Sequence, residues 1–266
     1  MLGFVAGERW TAPGRMERWR CAWQRGYGTE AIKRRFFGRP ALFVRYRALE
    51  GLKTRQEAAR KRTLMHTLNR NGVDKLAFST FGDMLEGQGP RRVDSGYLHL
   101  YFAGDVGAHV ADGDGKTAAC FFHLVGHLEE RAILKLAEHF RYLMIASPRD
   151  GEAVCRALRR RYGLPVVESP TASQMRQADF ALLSGPVPKG LTLGENCLSF
   201  APDKRFAGEM PGGRAITELF FQLPEEVAEE IPEGFMPDPL LSEALFCGSL
   251  NPEKIKIHGV SIDKSV

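Results

Sequence analysis

The residues best suited to chemistry fall in short polar turns that follow apolar runs. One is His123-Leu124-Val125-Gly126-His127-Leu128-Glu129-Glu130, at the end of the run 118–125; a second is Ser147-Pro148-Arg149, after 141–146; a third is Ser184-Gly185, after 180–183. His123 and His127 are four apart, a spacing that joins two side chains only on a helix. With His123 in a strand, His127 in a turn and no H-E-x-x-H pattern, no metal site is expected. Asp112-Gly113-Asp114-Gly115-Lys116-Thr117 ends like the phosphate loop G-x-x-x-x-G-K-[ST], but position 110 is valine where that loop needs glycine. The segment also precedes a strand instead of following one, so a polar turn is the better reading. Its aspartates lack the remaining ligands of a calcium loop. Cys21, Cys120, Cys155, Cys197 and Cys247 form no C-x-x-C pair. They are expected to be reduced, with Cys120 and Cys155 acting as small hydrophobes.

An alternation of strands and helices positions these turns. The apolar run 118–125 has the length of a parallel strand covered on both faces. Glu129 and Glu130 then occupy the first turn of a helix to about 139, where their charge favours the helix dipole. Further strands are expected at 141–146, 164–168, 180–183 and 197–200, with helices at 151–162 and 171–177, and Gly163 as a C-cap. The expected class is α/β: a Rossmann-like, mainly parallel sheet with helices on both faces, plus a basic N-terminal extension.

The alternation, the phrase RYGLPVVES (161–169) and the helix leading into ADFALL (178–183) resemble the NAD(P)-binding Rossmann domains of shikimate dehydrogenase and glutamyl-tRNA reductase, over residues 118–201. The resemblance implies a ligand crevice at the strand carboxyl ends and a glycine-rich turn that admits a pyrophosphate. The corresponding turn here has one glycine, Gly126, instead of three, and two carboxylates where the ligand's charge would lie, which opposes a dinucleotide. Ser147 and Arg149, about 20 residues further on, stand where ribose is read and suit a 2′-phosphate. The alternative, a helix-entry turn capped by Ser147 and Asp150, is preferred. The crevice candidates are therefore Gly126, His127, Ser147, Arg149, Ser184 and Gly185.

Charge divides the chain unevenly. Residues 1–70 hold 17 Lys and Arg against 5 Asp and Glu, and the rest holds 20 against 27. A basic arm on an acidic body suits nucleic acid, an anionic membrane, an acidic partner or the protein's own acidic surface. Residues 1–40 interleave Arg with Trp10, Trp19, Trp23, Tyr27, Phe36 and Phe37, a pattern that can stack bases. Packing of Trp19, Trp23 and Phe36 onto the body is preferred, because no nucleic-acid signature accompanies them. A strand is expected at 41–46 and a helix from Thr54, with Ala58, Leu64, Met65 and Leu68 inward and Arg55, Arg60, Lys61 and Arg62 outward, stopped by Asn71 and Gly72. Those four basic residues are the nucleic-acid candidates. A strand at 73–79 and a helix from Asp94 or Ser95 to about 110 follow. Beyond 201, the segment 217–223 suits a strand, 240–246 a helix and 255–260 a last strand, and the acidic run Glu225, Glu226, Glu229, Glu230 suits the basic arm.

Four segments are expected: an extension (1–40), an α/β segment (41–117), a Rossmann-like core (118–201) and a loop-rich C-terminal segment (202–266). No secretion signal or membrane-length apolar run is present, so a cytoplasmic location without membrane contact is expected. The functional expectation is a non-catalytic Rossmann-like protein that binds a small molecule or a protein partner, without a cofactor. The alternatives are an NADP-dependent oxidoreductase with an atypical phosphate turn and a nucleic-acid-associated protein.

Overall fold

The computed structural model describes residues 1–10, 14–24, 29–49, 52–78, 90–93, 95–110, 116–123, 125–147, 151–207 and 212–264. The chain divides into two units, Met1–Ser95 with Pro224–Pro252, and Gly96–Leu223 with Glu253–Val266. These divisions follow tertiary packing and differ from the expected segments, because distant stretches of chain complete each unit.

The first unit begins with β1 (Leu2–Trp10), α1 (Arg15–Trp23), β2 (Thr29–Phe36), β3 (Arg39–Leu49), α2 (Thr54–Arg70), β4 (Lys75–Phe78) and β5 (Arg91–Val93). Its sheet has the order β2-β3-β1-β4-β5, parallel except for the β2–β3 hairpin. Residues 1–40, expected as an extension, thus supply two strands of a sheet. Phe36 is buried, as expected, whereas Trp19 and Trp23 are 60% and 72% exposed, which corrects the expectation that both pack onto the body.

Helix α2 buries Arg60, Leu64 and Leu68, one turn apart along a single face. Leu64 and Leu68 pack with Val5, Leu42, Val44 and Leu76. Arg60, assigned from the sequence to the solvated face, is only 1% exposed, and Ala58, assigned to the inner face, is exposed. The Arg60 guanidinium donates to the Arg47 carbonyl at 2.9 Å and lies 5.3 Å from the centre of the Tyr46 ring. A long aliphatic stem can be buried when its charged head finds a carbonyl and an aromatic face. Arg55 and Arg62 are exposed and Lys61 is half-buried beside Glu57.

The second unit continues with α3 (Gly96–Tyr101), α4 (Ala103–Val110), β6 (Thr117–Phe122), α5 (His127–Ala137), β7 (Tyr142–Ala146), α6 (Gly151–Tyr162), β8 (Val166–Glu168), α7 (Ala172–Met175), β9 (Phe180–Ser184), β10 (Leu198–Phe200), α8 (Lys204–Ala207) and β11 (Arg214–Gln222). The single helix expected before residue 110 is broken at Phe102 into α3 and α4. The chain then supplies α9 (Glu225–Ala228) and α10 (Pro237–Phe246) to the first unit, and β12 (Lys256–Lys264) to the second.

The returning segment covers a face of the first sheet: the Phe235 ring meets Phe43 edge-on at 5.3 Å, and Phe43 stacks on Phe4 at 4.8 Å. Glu230 accepts the backbone N–H of Phe37 at 3.2 Å, so one residue of the acidic run meets the N-terminal region through a backbone amide. Phe37 and Gly38 form the two-residue turn between the paired residues Phe36 and Arg39, with φ of 45° and 75°. Positive φ at both positions defines a type I′ turn, for which Asn-Gly is the favoured sequence. A bulky phenylalanine there costs about 1–3 kcal/mol.

The second unit's sheet runs β12-β11-β10-β9-β6-β7-β8, parallel except for β12. Numbered from β6, the parallel strands stand in the order 3-2-1-4-5-6, that of the Rossmann fold. Helices lie on both faces. Val106 of α4, Ile133 and Leu136 of α5, and Cys155 and Leu158 of α6 pack with Cys120, Phe122, Leu143 and Leu182. On the other face Met175 of α7, with Leu193 and Cys197, packs on Ala119, Phe121, Met144 and Leu183. This two-sided burial is why the central strands read as continuous apolar runs. Among the described residues no helix is long and apolar enough to cross a membrane.

Candidate functional site

In a sheet of this order the crevice opens at the carboxyl ends of the two strands where the winding reverses, here β6 and β9. Their register pairs Phe122 with Ser184, and β6 pairs Phe121 with Ala146 of β7, so the three strands end nearly level. His123, expected within the strand, lies just beyond it and is exposed. Gly126 is the N-cap of α5, with φ −98° and ψ −168°, a backbone that any residue can adopt.

The carboxylate of Glu129 closes the helix end. Its Oε2 accepts the Gly126 N–H at 3.0 Å, and its Oε1 lies 3.5 Å from the Ser184 hydroxyl, which donates to it. A negative group at a helix N-terminus is favoured by the unpaired N–H groups and the dipole, the same physics that holds a phosphate in dinucleotide sites. Glu130 does something different: it accepts the Tyr162 hydroxyl at 2.9 Å and pairs with Arg161 at 3.4 Å, both on α6. That hydrogen bond raises the Tyr162 phenol above its ordinary value. Only one of the two carboxylates anticipated at the pyrophosphate position therefore stands there.

Gly185 is fixed by close approach. A Cβ on it would lie 2.1 Å from the His123 nitrogen and 2.4 Å from the Phe122 carbonyl carbon, so backbone passes directly against backbone. At Gly126 an added Cβ would meet only Glu129 Oε2, at 3.1 Å. Leu128 does not approach that position, and His127 is exposed. Ser147 is half-buried one residue beyond β7, where its Cβ would lie 3.5 Å from a Cβ added to Gly151. Arg149, along with Pro148 and Asp150, lies outside the described residues.

The structure therefore brings together Gly126 and Ser184, the neighbour of Gly185, through Glu129, which the sequence analysis placed in the first helix turn as a dipole partner and as a charge opposing a dinucleotide. The available signal was the spacing Gly126-x-x-Glu129, the second half of a capping box. The three buried thiols contribute no reactive group: burial pushes Cys120 and Cys197 up to about 12 and Cys155 up to about 11. Lys116 of the glycine-lysine-threonine phrase precedes β6 and Thr117 begins it, with the Thr117 N–H accepted by the Asp179 carboxylate at 2.8 Å. Among the described residues no group of three or more His, Cys, Asp or Glu side chains is placed to hold a metal.

These features define a Rossmann-type α/β unit with a self-capped helix at its switch point. No protein-family profile matches the chain, and no curated protein is similar to it. Solved structures to which it is similar include a dipicolinate synthase polypeptide from Bacillus halodurans, 11% identical over 94% of this chain and 98% of that one, with a TM-score of 0.38. Shikimate dehydrogenase from Aquifex aeolicus is 9% identical over 80% and 85%, with a TM-score of 0.30. A probable ornithine cyclodeaminase from Bordetella pertussis Tohama I is 19% identical over 43% of this chain, with a TM-score of 0.32; the match spans 40% of that protein's length. The strand order 3-2-1-4-5-6 defines the fold of the second unit.

Proposed function

We propose that the second unit is a small-ligand-binding Rossmann domain without catalysis, whose ligand is neutral or cationic where it meets α5. The observation that carries this reading is the Glu129 carboxylate on the Gly126 N–H. A pyrophosphate brought to this helix end would displace a hydrogen bond and meet a like charge, whereas an ammonium or hydroxyl group would find an acceptor already in place. Ser184, Ser147 and His127 add polar groups at the strand ends. Thermal denaturation with NAD, NADP, FAD and ATP at millimolar concentration tests the reading, since a ligand that binds only the folded state raises the melting temperature. No response to any of the four is expected, and hits from a fragment set should be mainly cations and neutral molecules. A set of hits dominated by anions would contradict the proposal.

The second reading, an NADP-dependent oxidoreductase, has one observation in its favour. A Cβ added at Gly126 would meet the far end of the flexible Glu129 side chain, and a rotamer change there would free the Gly126 N–H for a phosphate. A rise in melting temperature with NADP, reduced by S147A, would support that reading instead.

A further inference from the structure

The first unit holds a pocket of about 260 Å³ that the proposed function does not use. It lies where β1 and β4 begin, the ends opposite to those that form the crevice of a parallel sheet. Its lining combines apolar residues, Phe36, Phe37 and Pro40, with the charged Arg39, Lys75 and Glu243. Glu243, buried within α10, pairs through Oε1 with Lys75 Nζ at 2.8 Å and accepts the Cys247 thiol at 3.2 Å. That hydrogen bond and, above all, burial hold the Cys247 thiol above its ordinary value. The Asp74 carboxylate accepts the Met1 amino group at 2.5 Å.

Arg39 is different. One Nη2–H donates to the Cys247 carbonyl at 3.0 Å, which fixes the guanidinium at the pocket wall. Among the described residues no carboxylate pairs with it, so the guanidinium of this exposed side chain keeps further N–H donors beside the pocket it lines. Phe37 is the second, independent observation. The hairpin turn demands positive φ at this position, a demand that asparagine meets with less strain. The strained residue instead brings an aromatic ring edge-on to Phe36 at 4.8 Å, at the pocket wall. Backbone strain that a smaller residue would relieve points to a use for the side chain.

We infer that this pocket binds a small organic monocarboxylate with an apolar, planar body, its carboxylate on Arg39 and its body against Phe37. The test titrates the full chain with benzoate, and with benzylamine and sodium chloride at matched ionic strength, followed by calorimetry and thermal denaturation. Benzoate should bind and raise the melting temperature while benzylamine and sodium chloride do not. R39Q should weaken benzoate binding at least about tenfold, the value of a charge-assisted bidentate contact. F37N should melt at a higher temperature than the parent yet bind benzoate at least about threefold more weakly, a combination that general damage to the fold does not produce. Equal responses to benzoate and benzylamine overturn the assignment, as does benzoate binding that survives in R39Q. If R39Q does not fold, undiminished binding by F37N overturns it.

Discussion

The Oε2 atom of Glu129 accepts the backbone N–H of Gly126 at 3.0 Å, while the other oxygen of the same carboxylate reaches the Ser184 hydroxyl at 3.5 Å. One side chain thus ties the first helix turn of α5 to the end of β9, across the point where a Rossmann sheet reverses its winding. Dinucleotide sites leave that helix end for a ligand phosphate; here the chain supplies the anion itself.

Removing this group should lower stability. E129Q keeps an acceptor but loses the charge near the helix dipole and should cost about 0.3–1 kcal/mol. E129A also leaves the Gly126 N–H without its acceptor and should cost about 1–2 kcal/mol. Urea denaturation of the two variants against the parent measures both, and equal stability of all three would show that the cap is idle.

The two glycines of the crevice should respond in opposite ways to an added methyl group. G185A drives a Cβ into the Phe122–His123 backbone, and should cost about 3 kcal/mol or more, since backbone cannot move aside as a side chain does. G126A meets only the end of Glu129 in a backbone conformation open to alanine, and should stay within about 1 kcal/mol of the parent. Thermal melts of the pair decide; a larger loss in G126A would place the constraint at the wrong glycine.

Three buried thiols should make the second unit sensitive to alkali. Burial raises Cys120 and Cys197 from 9.0 to about 12 and Cys155 from 9.0 to about 11. Below 9 the thiols are neutral in both folded and unfolded chains and favour neither. Above 9 the unfolded chain releases protons that the folded one retains, so stability falls as pH rises towards the folded values, by about 1.4 kcal/mol per pH unit for each such group. Melting temperatures between pH 8 and pH 11 should fall steeply, and C120A should flatten that fall; an unchanged slope in C120A would remove this thiol from the explanation.

How much of this was legible in the sequence depended on whether the forces were local. The strands β6, β7, β8, β9 and β10 lie close to their expected positions, because parallel strands covered on both faces must be apolar throughout. Helix α2 was placed at its first residue, yet its face was misread: arginine counts as polar in any periodicity, and only the Arg47 carbonyl and the Tyr46 ring make position 60 an inward one. The segment that completes the first unit was legible only in part. The helix at 240–246 and the acidic run could be read locally, but what joins them to the unit is non-local, such as Phe235 on Phe43 and Glu243 on Lys75. At the crevice the spacing of Gly126 and Glu129 was readable as half a capping box, but nothing local announces Ser184 as the second partner, 55 residues away. The sequence drew attention to Gly126, whereas close packing constrains Gly185.

The most direct test of a self-occupied helix end is calorimetric titration of NADP into the parent protein and into E129Q, which removes the charge while keeping the side chain's shape. The parent should show no measurable binding at millimolar NADP and E129Q measurable binding, because the helix dipole and free N–H groups then lack an anion. NADP binding by the parent that E129Q leaves unchanged or weakens would contradict a self-occupied helix end.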